Sequence, residues 1–425
     1  MTFFKKTIKD VPLAGRTVLV RADYNVPLTP QGKIHDDYRM QQSLPTLQYL
    51  LEQGCKVVIC AHLGRPEGKV NPEFSLEAVA THLGKLLDRP VTFVPQSVGD
   101  LVKQTVRKLP AGSVALLENL RFHPGEEAND PAFAKRLATD STATYFVQDG
   151  FGVVHRKHAS TDAITQFLPS VAGLLLRKEY MAITNAVEHP QRPLTIVMGG
   201  AKVADKIDLI EKFIEIADTL IIGGAIANTF LKFYAGYEVG KSIYDADAAD
   251  EVARLMQKAC QKWCQQPKDS ACDCLTCPDC AAHLLLPVDV AVGTAIDPAT
   301  KREVAALTEV DADDYILDMG KETISRMVDH LEKSGQVLWN GTLGYAEIAQ
   351  FAYGSNFVAG TLASNHGKIA NLIGGGDTAD FVMHWLHTQH RKVEDCFDHV
   401  STGGGASLDL LAGKKLPGIE ALLDA

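Results

Sequence analysis

The chain has 425 residues, more than one hydrophobic core ordinarily serves, so two domains are expected. Its formal net charge of -10 sets the molecule as a whole against nucleic acid and acidic membrane surfaces, so an anionic ligand has to be caught by a local basic cluster. Met1 to Asp10 has lysines but no apolar core of signal-peptide length, and no uninterrupted apolar run is long enough to span a bilayer; a cytoplasmic protein without membrane or nucleic-acid partners is the expectation.

From the N-terminus, short β-branched or aliphatic runs alternate with polar or glycine turns and helix-period segments: Thr17 to Val20, Lys56 to Cys60, Ser113 to Leu117 and Tyr145 to Val147. This rhythm predicts βαβ units. Gly173 to His189, with leucines at 174, 175 and 176 followed by Tyr180, Met181 and Ile183, predicts a helix that stops before Pro190 and hinges at its ends. The rhythm resumes with Leu194 to Met198, Leu220 to Ile222, Leu284 to Val292, Tyr315 to Leu317, Val337 to Trp339, Ile369 to Ile373 and His399 to Ser401. The expected fold is therefore α/β, two doubly wound parallel-sheet (Rossmann-like) domains joined by a hinge helix. The boundaries read as 1–172, a helix over 173–189, a second domain over 190–405, and a segment over 406–425 that returns to the first.

Basic residues gather where the first-half strands end: Arg21-Ala22-Asp23-Tyr24-Asn25, then Arg39, His62-Leu63-Gly64-Arg65-Pro66, Asn119 to His123 and His155 to His158. Ligands of parallel sheets bind beyond the carboxyl ends of strands, so these loops should converge into a basic cup. Guanidinium forks match phosphate and carboxylate oxygens, while Asp23 and Asn25 suit a substrate hydroxyl or orient the arginines. A single such arginine would mean little, since it could pair with a surface carboxylate. Five at strand ends weigh against that reading, although His123 and His158 also suit solvated loop positions.

The second half has glycines at the same places. Leu194 to Met198 runs into Gly199-Gly200-Ala201-Lys202, with Lys206 one turn further on, a pairing that suits a triphosphate. Gly223-Gly224, Asn340-Gly341, Gly374-Gly375-Gly376-Asp377-Thr378 and Ser401 to Gly405 follow other strands. Any one pair marks only a tight turn; several in one sheet point to an anion site. Asp377 offers an oxygen to nucleotide-bound Mg²⁺, and Glu347 could accept from ribose hydroxyls. Gly240-Lys241-Ser242 ends a P-loop-like run, but Ala235 replaces its first glycine and no strand immediately precedes it, so it is rejected as a phosphate site.

Val20 to Leu28, His62 to Pro66, Glu118 to Phe122, Gly199 to Ile207, Trp339 to Gly341, Gly374 to Thr378 and Ser401 to Leu408 together resemble the phosphoglycerate kinases, in the family's order and across nearly the whole chain. The resemblance implies reversible phosphoryl transfer from 1,3-bisphosphoglycerate to ADP, giving 3-phosphoglycerate and ATP, by a Mg²⁺-dependent, usually monomeric glycolytic enzyme. It assigns Asp23, Tyr24, Asn25, Arg39, His62, Leu63, Gly64, Arg65, Arg121 and Arg156 to the acid-substrate site. Gly200, Lys206, Gly223, Asn340, Glu347, Gly374, Gly375, Gly376, Asp377 and Thr378 go to the nucleotide site, and Arg39, Lys202 and Gly375 to the transfer itself. The chain departs from the family at Gly320-Lys321 and Gly341-Thr342, where Gly-Pro is common, and at Ala22 and Tyr24. The alternatives are a kinase for another carboxylic acid, or a non-catalytic scaffold that uses its cysteine-rich stretch as a contact surface.

That stretch, 259–285, is the main departure, and it holds six of the nine cysteines. Cys260 with Cys264, then Cys277 with Cys280, form two close pairs at a separation typical of structural zinc sites, with Cys272, Cys274 and His283 as further candidates. A plain surface insertion and a redox-sensitive thiol cluster are the other readings; none makes the stretch catalytic.

Overall fold

The computed structural model describes residues 3–264 and 277–425. The chain divides into two units, Met1–Met181 with Lys414–Ala425, and Ala182–Gly413. The division falls within the helix Leu174–Glu188.

In the first unit β1 (Thr17–Arg21), β2 (Lys56–Cys60), β3 (Val91–Val94), β4 (Val114–Leu117), β5 (Tyr145–Gln148) and β6 (Ser170–Ala172) form one sheet in the order β3-β4-β2-β1-β5-β6. Every pairing is parallel. The central runs Val18 to Val20 and Val57 to Cys60 are apolar throughout because both faces are covered. Val18, Val20, Val57 and Ile59 enter the core on one face, while Leu19, Val58 and Cys60 enter the core on the other. The edge strands β3 and β6 carried no clear sequence signal: β3 leaves most of its residues partly exposed, and β6 has three residues. Chain order reverses between β1 and β5, so the crevice at their carboxyl ends is the place where a doubly wound sheet binds. Gly150 makes that crevice narrow, since a Cβ there would lie 3.1 Å from the Ala22 and Asp23 backbone. The C-terminal segment closes on this unit: Lys6 N donates to Leu423 O (2.8 Å) and Gly418 N to Val154 O (2.9 Å).

The second unit contains β7 (Leu194–Met198), β8 (Thr219–Ile222), β9 (Leu284–Leu285), β10 (Asp289–Gly293), β11 (Glu303–Ala306), β12 (Tyr315–Met319), β13 (Gln336–Asn340), β14 (Ala370–Gly374) and β15 (His399–Val400). Its parallel sheet runs β15-β14-β13-β7-β8-β9, and a separate antiparallel sheet runs β11-β10-β12. Two expectations are corrected here. The run Leu284 to Val292 is two strands in two different sheets, broken at Leu286-Pro287-Val288, where Pro287 has no N–H to give to a ladder. Tyr315 to Leu317 belongs to the antiparallel sheet rather than to the parallel one. The P-loop-like run serves this sheet too: Gly240 bridges to Tyr315, and the Ser242 hydroxyl accepts from Ile316 N (2.7 Å). Among the described residues no helix is long and apolar enough to cross a membrane.

Candidate active site

Hydrogen bonds stitch the first-unit loops into one surface. Asn25 Oδ1 accepts from Gly64 N (2.9 Å), and Gly64 O accepts from Arg121 Nη1 (2.8 Å), so the loops after β1, β2 and β4 hold one another. Gly64 has φ +63°, a conformation glycine adopts without strain. Arg39, in the first turn of the helix Tyr38–Glu52, lies 3.1 Å from Asn25 O and 3.4 Å from Asp23 Oδ2. Arg121 also meets Glu127 at 3.1 Å. Arg65 and Arg156 extend into solvent, Arg156 donating to His155 Nε2 at 3.0 Å.

His62 is buried, and its Nδ1 lies 3.2 Å from Arg21 Nη2 and 3.9 Å from Asp23 Oδ1. A guanidinium can only donate, so Nδ1 accepts and the proton of the neutral ring sits on Nε2. Burial, then the charges of Arg21, Arg121 and Arg39, hold the imidazole well below its ordinary pKa of 6.5. His62 is therefore an uncharged donor at neutral pH.

Beneath it is a network for which the sequence offered little signal. Arg21 is fully buried and donates through Nε to Ser160 Oγ (2.8 Å) and through Nη1 to Ala22 O. Ser160 Oγ in turn donates to Glu126 Oε1 (2.5 Å). Burial pushes the Glu126 carboxyl up, against the lowering pull of Arg21 and the Ser160 hydrogen bonds. Two side chains assigned to substrate point elsewhere. Tyr24 is wholly buried with its hydroxyl 3.0 Å from Ser43 Oγ, and Leu63 packs in the same core cluster, so only their main chains border the cup.

In the second unit the order reverses between β7 and β13, and glycines let the two strand ends touch. Gly199 N donates to Asn340 O (2.8 Å); a side chain at Gly199 would collide with the Thr342 carbonyl, and one at Gly341 (φ +90°) with the Gly199 carbonyl. Lys206 Nζ donates to Gly199 O (2.9 Å) and lies against Gly200, whose φ of +120° favours glycine. Asn340 is buried, and its Nδ2 has no hydrogen-bond partner among the described residues. That amide faces Gly375 (φ +91°), which begins the helix Gly376–Thr388. Thr378 stands behind this corner: its hydroxyl accepts from Gly341 N (2.7 Å), so it holds the turn rather than facing a ligand.

A cavity of about 220 Å³ opens beside the crossing, bordered by Gly200, Gly224, Asn228, Met319, Leu343, Glu347 and Asp377. Gly223 begins the helix Gly224–Phe233, whose first residue forms the cavity floor. Glu347 and Asp377 are exposed at its lining, while Lys206, Gly374 and Gly376 adjoin the crossing without lining the cavity. Lys202 is exposed, and no hydrogen bond or ion pair holds it among the described residues. Much of the apolar wall, Val290 and Leu317 included, comes from the antiparallel sheet and carried no motif. Asp318, also in the wall, accepts from Tyr353 N (2.7 Å) and Met319 N (2.8 Å), and burial pushes its pKa up to about 7.

Of the cysteine-rich stretch, Cys272 and Cys274 lie outside the described residues. The ligand atoms of Cys260, Cys264 and Cys280 all lie within 4.8 Å of one another, as do those of Cys264, Cys277 and Asp279. His283 stands aside, with Nδ1 2.6 Å from Asp218 O and its ring stacked on Trp263.

Guanidinium groups at the strand ends of the first unit and glycine turns at those of the second suit phosphate-bearing anions, the equipment of a phosphotransferase of the small-molecule kinase class. The sequence model of the family described as phosphoglycerate kinase matches residues 8–414. The chain is 41% identical to the phosphoglycerate kinase of Herpetosiphon aurantiacus over 420 residues, 99% of each chain, and 42% identical to that of Chloroflexus aurantiacus over 425 residues, again 99% of each. Among solved structures, the phosphoglycerate kinase of Coxiella burnetii superposes with a TM-score of 0.79 at 35% identity, and that of Pyrococcus horikoshii OT3 with 0.80 at 28%, each over 98% of both chains. The chain belongs to the phosphoglycerate kinase family.

Proposed function

We infer that the chain transfers a phosphoryl group reversibly from 1,3-bisphosphoglycerate to ADP, giving 3-phosphoglycerate and ATP, as a step of glycolysis. The observation that carries this reading is the family match over residues 8–414, falling on a chain that keeps the arginine cup as well as Lys202 and Lys206. Similarity over nearly the full length disfavours a non-catalytic scaffold.

The attacking oxygen belongs to a phosphate or to a carboxylate with a reference pKa of about 4, so it is already anionic and needs no general base. The protein's task is to hold two anions, exclude water and offset charge on the three oxygens in transit. Asp23, Asn25, His62, Arg65, Arg121 and Arg156 take the acid substrate, with neutral His62 donating from Nε2. Gly200, Lys206, Asn340 and the turn Gly374 to Gly376 take the nucleotide phosphates, and the unpaired Asn340 amide supports this assignment. The cavity wall with Glu347 takes the nucleoside. Arg39, Lys202 and Gly375 are assigned to the moving group, the Gly375 amide donating to Ser407 Oγ (3.4 Å) in the structure.

Mg²⁺ fits Asp377: an exposed carboxylate oxygen in the first turn of a helix beside the cavity is the hard ligand this cation takes together with phosphate oxygens. Bound there, Mg²⁺ would offset phosphate charge. A monomeric state and a cytoplasmic location go with this reading, and the cysteine cluster has no part in the reaction. The test is a coupled assay with ATP and a panel of carboxylic acids. Turnover confined to 3-phosphoglycerate is expected; turnover of a different acid, with none of 3-phosphoglycerate, would overturn the assignment.

A further inference from the structure

We propose that Cys260, Cys264, Cys277 and Cys280 hold one structural zinc ion that fastens the end of the helix Ala249–Trp263 to the chain entering β9. Two rigid pieces of backbone present the sulfurs. Cys260 lies in the last turn of that helix and Cys264 just past it, with Cys264 N donating to Cys260 O (2.9 Å), so both thiols project from one face. Cys277 and Cys280 flank and enter the helical turn Pro278–Ala281, held by Ala281 N to Cys277 O and His283 N to Cys280 O, both 2.9 Å.

Each piece is anchored to the second unit's framework. Lys262 Nζ donates to the carbonyls of Ile214, Glu215 and Ala217 at 2.6 to 2.8 Å, which pins the helix end. Leu220 N donates to His283 O (2.7 Å), which joins the other piece to β8.

The spacing between sulfurs suits the metal. A tetrahedral zinc bound by four thiolates at about 2.3 Å puts its sulfurs about 3.8 Å apart. Cys264 and Cys277 already stand 3.7 Å apart, and Cys264 lies within 4.8 Å of both Cys260 and Cys280. Cys264 is thus common to both clusters; Cys277 groups with Cys264 and Asp279 rather than with Cys260 and Cys280, so its side chain has to turn toward them to complete the four-sulfur set. Cys280 and Cys277 are buried, while Cys260 and Cys264 are partly exposed, which gives a dry site with a path of entry. Four soft thiolates with no position left for water describe a closed structural site rather than a catalytic one. The two pairs are separated in the sequence by residues 265–276, so an ion held by both limits the freedom of the unfolded chain.

The test uses the full chain, purified under reducing conditions without chelator, and does not depend on kinase activity. Mass-spectrometric metal analysis is expected to find about one zinc per chain, as a closed four-thiolate site requires. Replacement by Co²⁺ should give the thiolate charge-transfer and visible bands of a tetrahedral centre. Cys277→Ser/Cys280→Ser should lose the metal and lower the midpoint of thermal unfolding by roughly 5 °C. Should that variant not fold, the Co²⁺ titration of the unsubstituted chain decides alone. Substoichiometric metal with a featureless Co²⁺ spectrum would overturn the proposal. So would iron in place of zinc, or a Cys264–Cys277 disulfide in the peptide map of native protein.

Discussion

Asp149 sits just past β5 and receives the first turn of the helix Leu174–Glu188 on one oxygen: Oδ1 accepts from Leu175 N (3.0 Å) and Leu176 N (3.3 Å). Its other oxygen is buried without a partner among the described residues. Burial raises the carboxyl from 3.8 to about 7, although hydrogen bonds from Thr46 and the two amides pull the other way. The folded chain thus holds this proton more tightly than the unfolded chain, and the stabilisation it brings is complete below pH 4 and lost as pH rises to about 7. A difference of about 3 in pKa corresponds to about 4 kcal/mol of lost stability above that range. Asp149→Asn keeps the accepting oxygen, changes only the partnerless atom and removes the ionisation. Its stability relative to the parent should rise by about 3 kcal/mol between pH 5 and pH 8. The assay is urea unfolding at several pH values. All three tryptophans, Trp263, Trp339 and Trp385, lie in the second unit, so fluorescence follows that unit and circular dichroism adds the first. Parallel pH profiles for variant and parent would refute the reasoning.

Three substitutions probe the site. Lys202→Ala should lower kcat by about 10²- to 10³-fold with smaller changes in KM, because an exposed ammonium with no partner among the described residues is free to meet charge that develops only in transit; an unchanged kcat would remove Lys202 from the chemistry. Asn340→Ala should raise KM for ATP roughly 10-fold and leave that for 3-phosphoglycerate unchanged, the loss of one hydrogen bond to a charged group; equal effects on both would assign the amide a general structural role instead. Gly199→Ala drives a methyl group into the Thr342 carbonyl and should cost roughly 1–3 kcal/mol while abolishing the rise in unfolding midpoint that ATP gives the parent. A parent-like response to ATP would show that the β7–β13 crossing tolerates separation.

The departure from Gly-Pro at Gly341-Thr342 acquires a physical meaning in this crossing. Thr342 contributes its carbonyl to the contact with Gly199 and also borders the cavity, so its main chain carries the packing. Gly320-Lys321 stands at the end of β12, where the Lys321–Leu331 helix begins. There Asp289 Oδ2 and Oδ1 accept from the amides of Glu322 (3.0 Å) and Thr323 (2.8 Å) and satisfy the helix start without a proline.

The doubly wound parallel sheets were legible in the sequence because strands covered on both faces must be continuously apolar, as in Leu194–Met198, and because glycine or basic loops directly follow them. These are local requirements, met within a few residues. Tertiary structure decided the partners. The apolar run Leu284 to Val292 has the same composition whether it forms one strand or two, and only Pro287 and the pairing of Asp289–Gly293 with Glu303–Ala306 and Tyr315–Met319 divide it. Periodicity reports which residues leave water, not which segment they meet. For that reason the buried chain Arg21–Ser160–Glu126, the neutral state of His62 and the cavity wall appear only when distant segments are packed together, where burial and neighbouring charge set each group's chemistry.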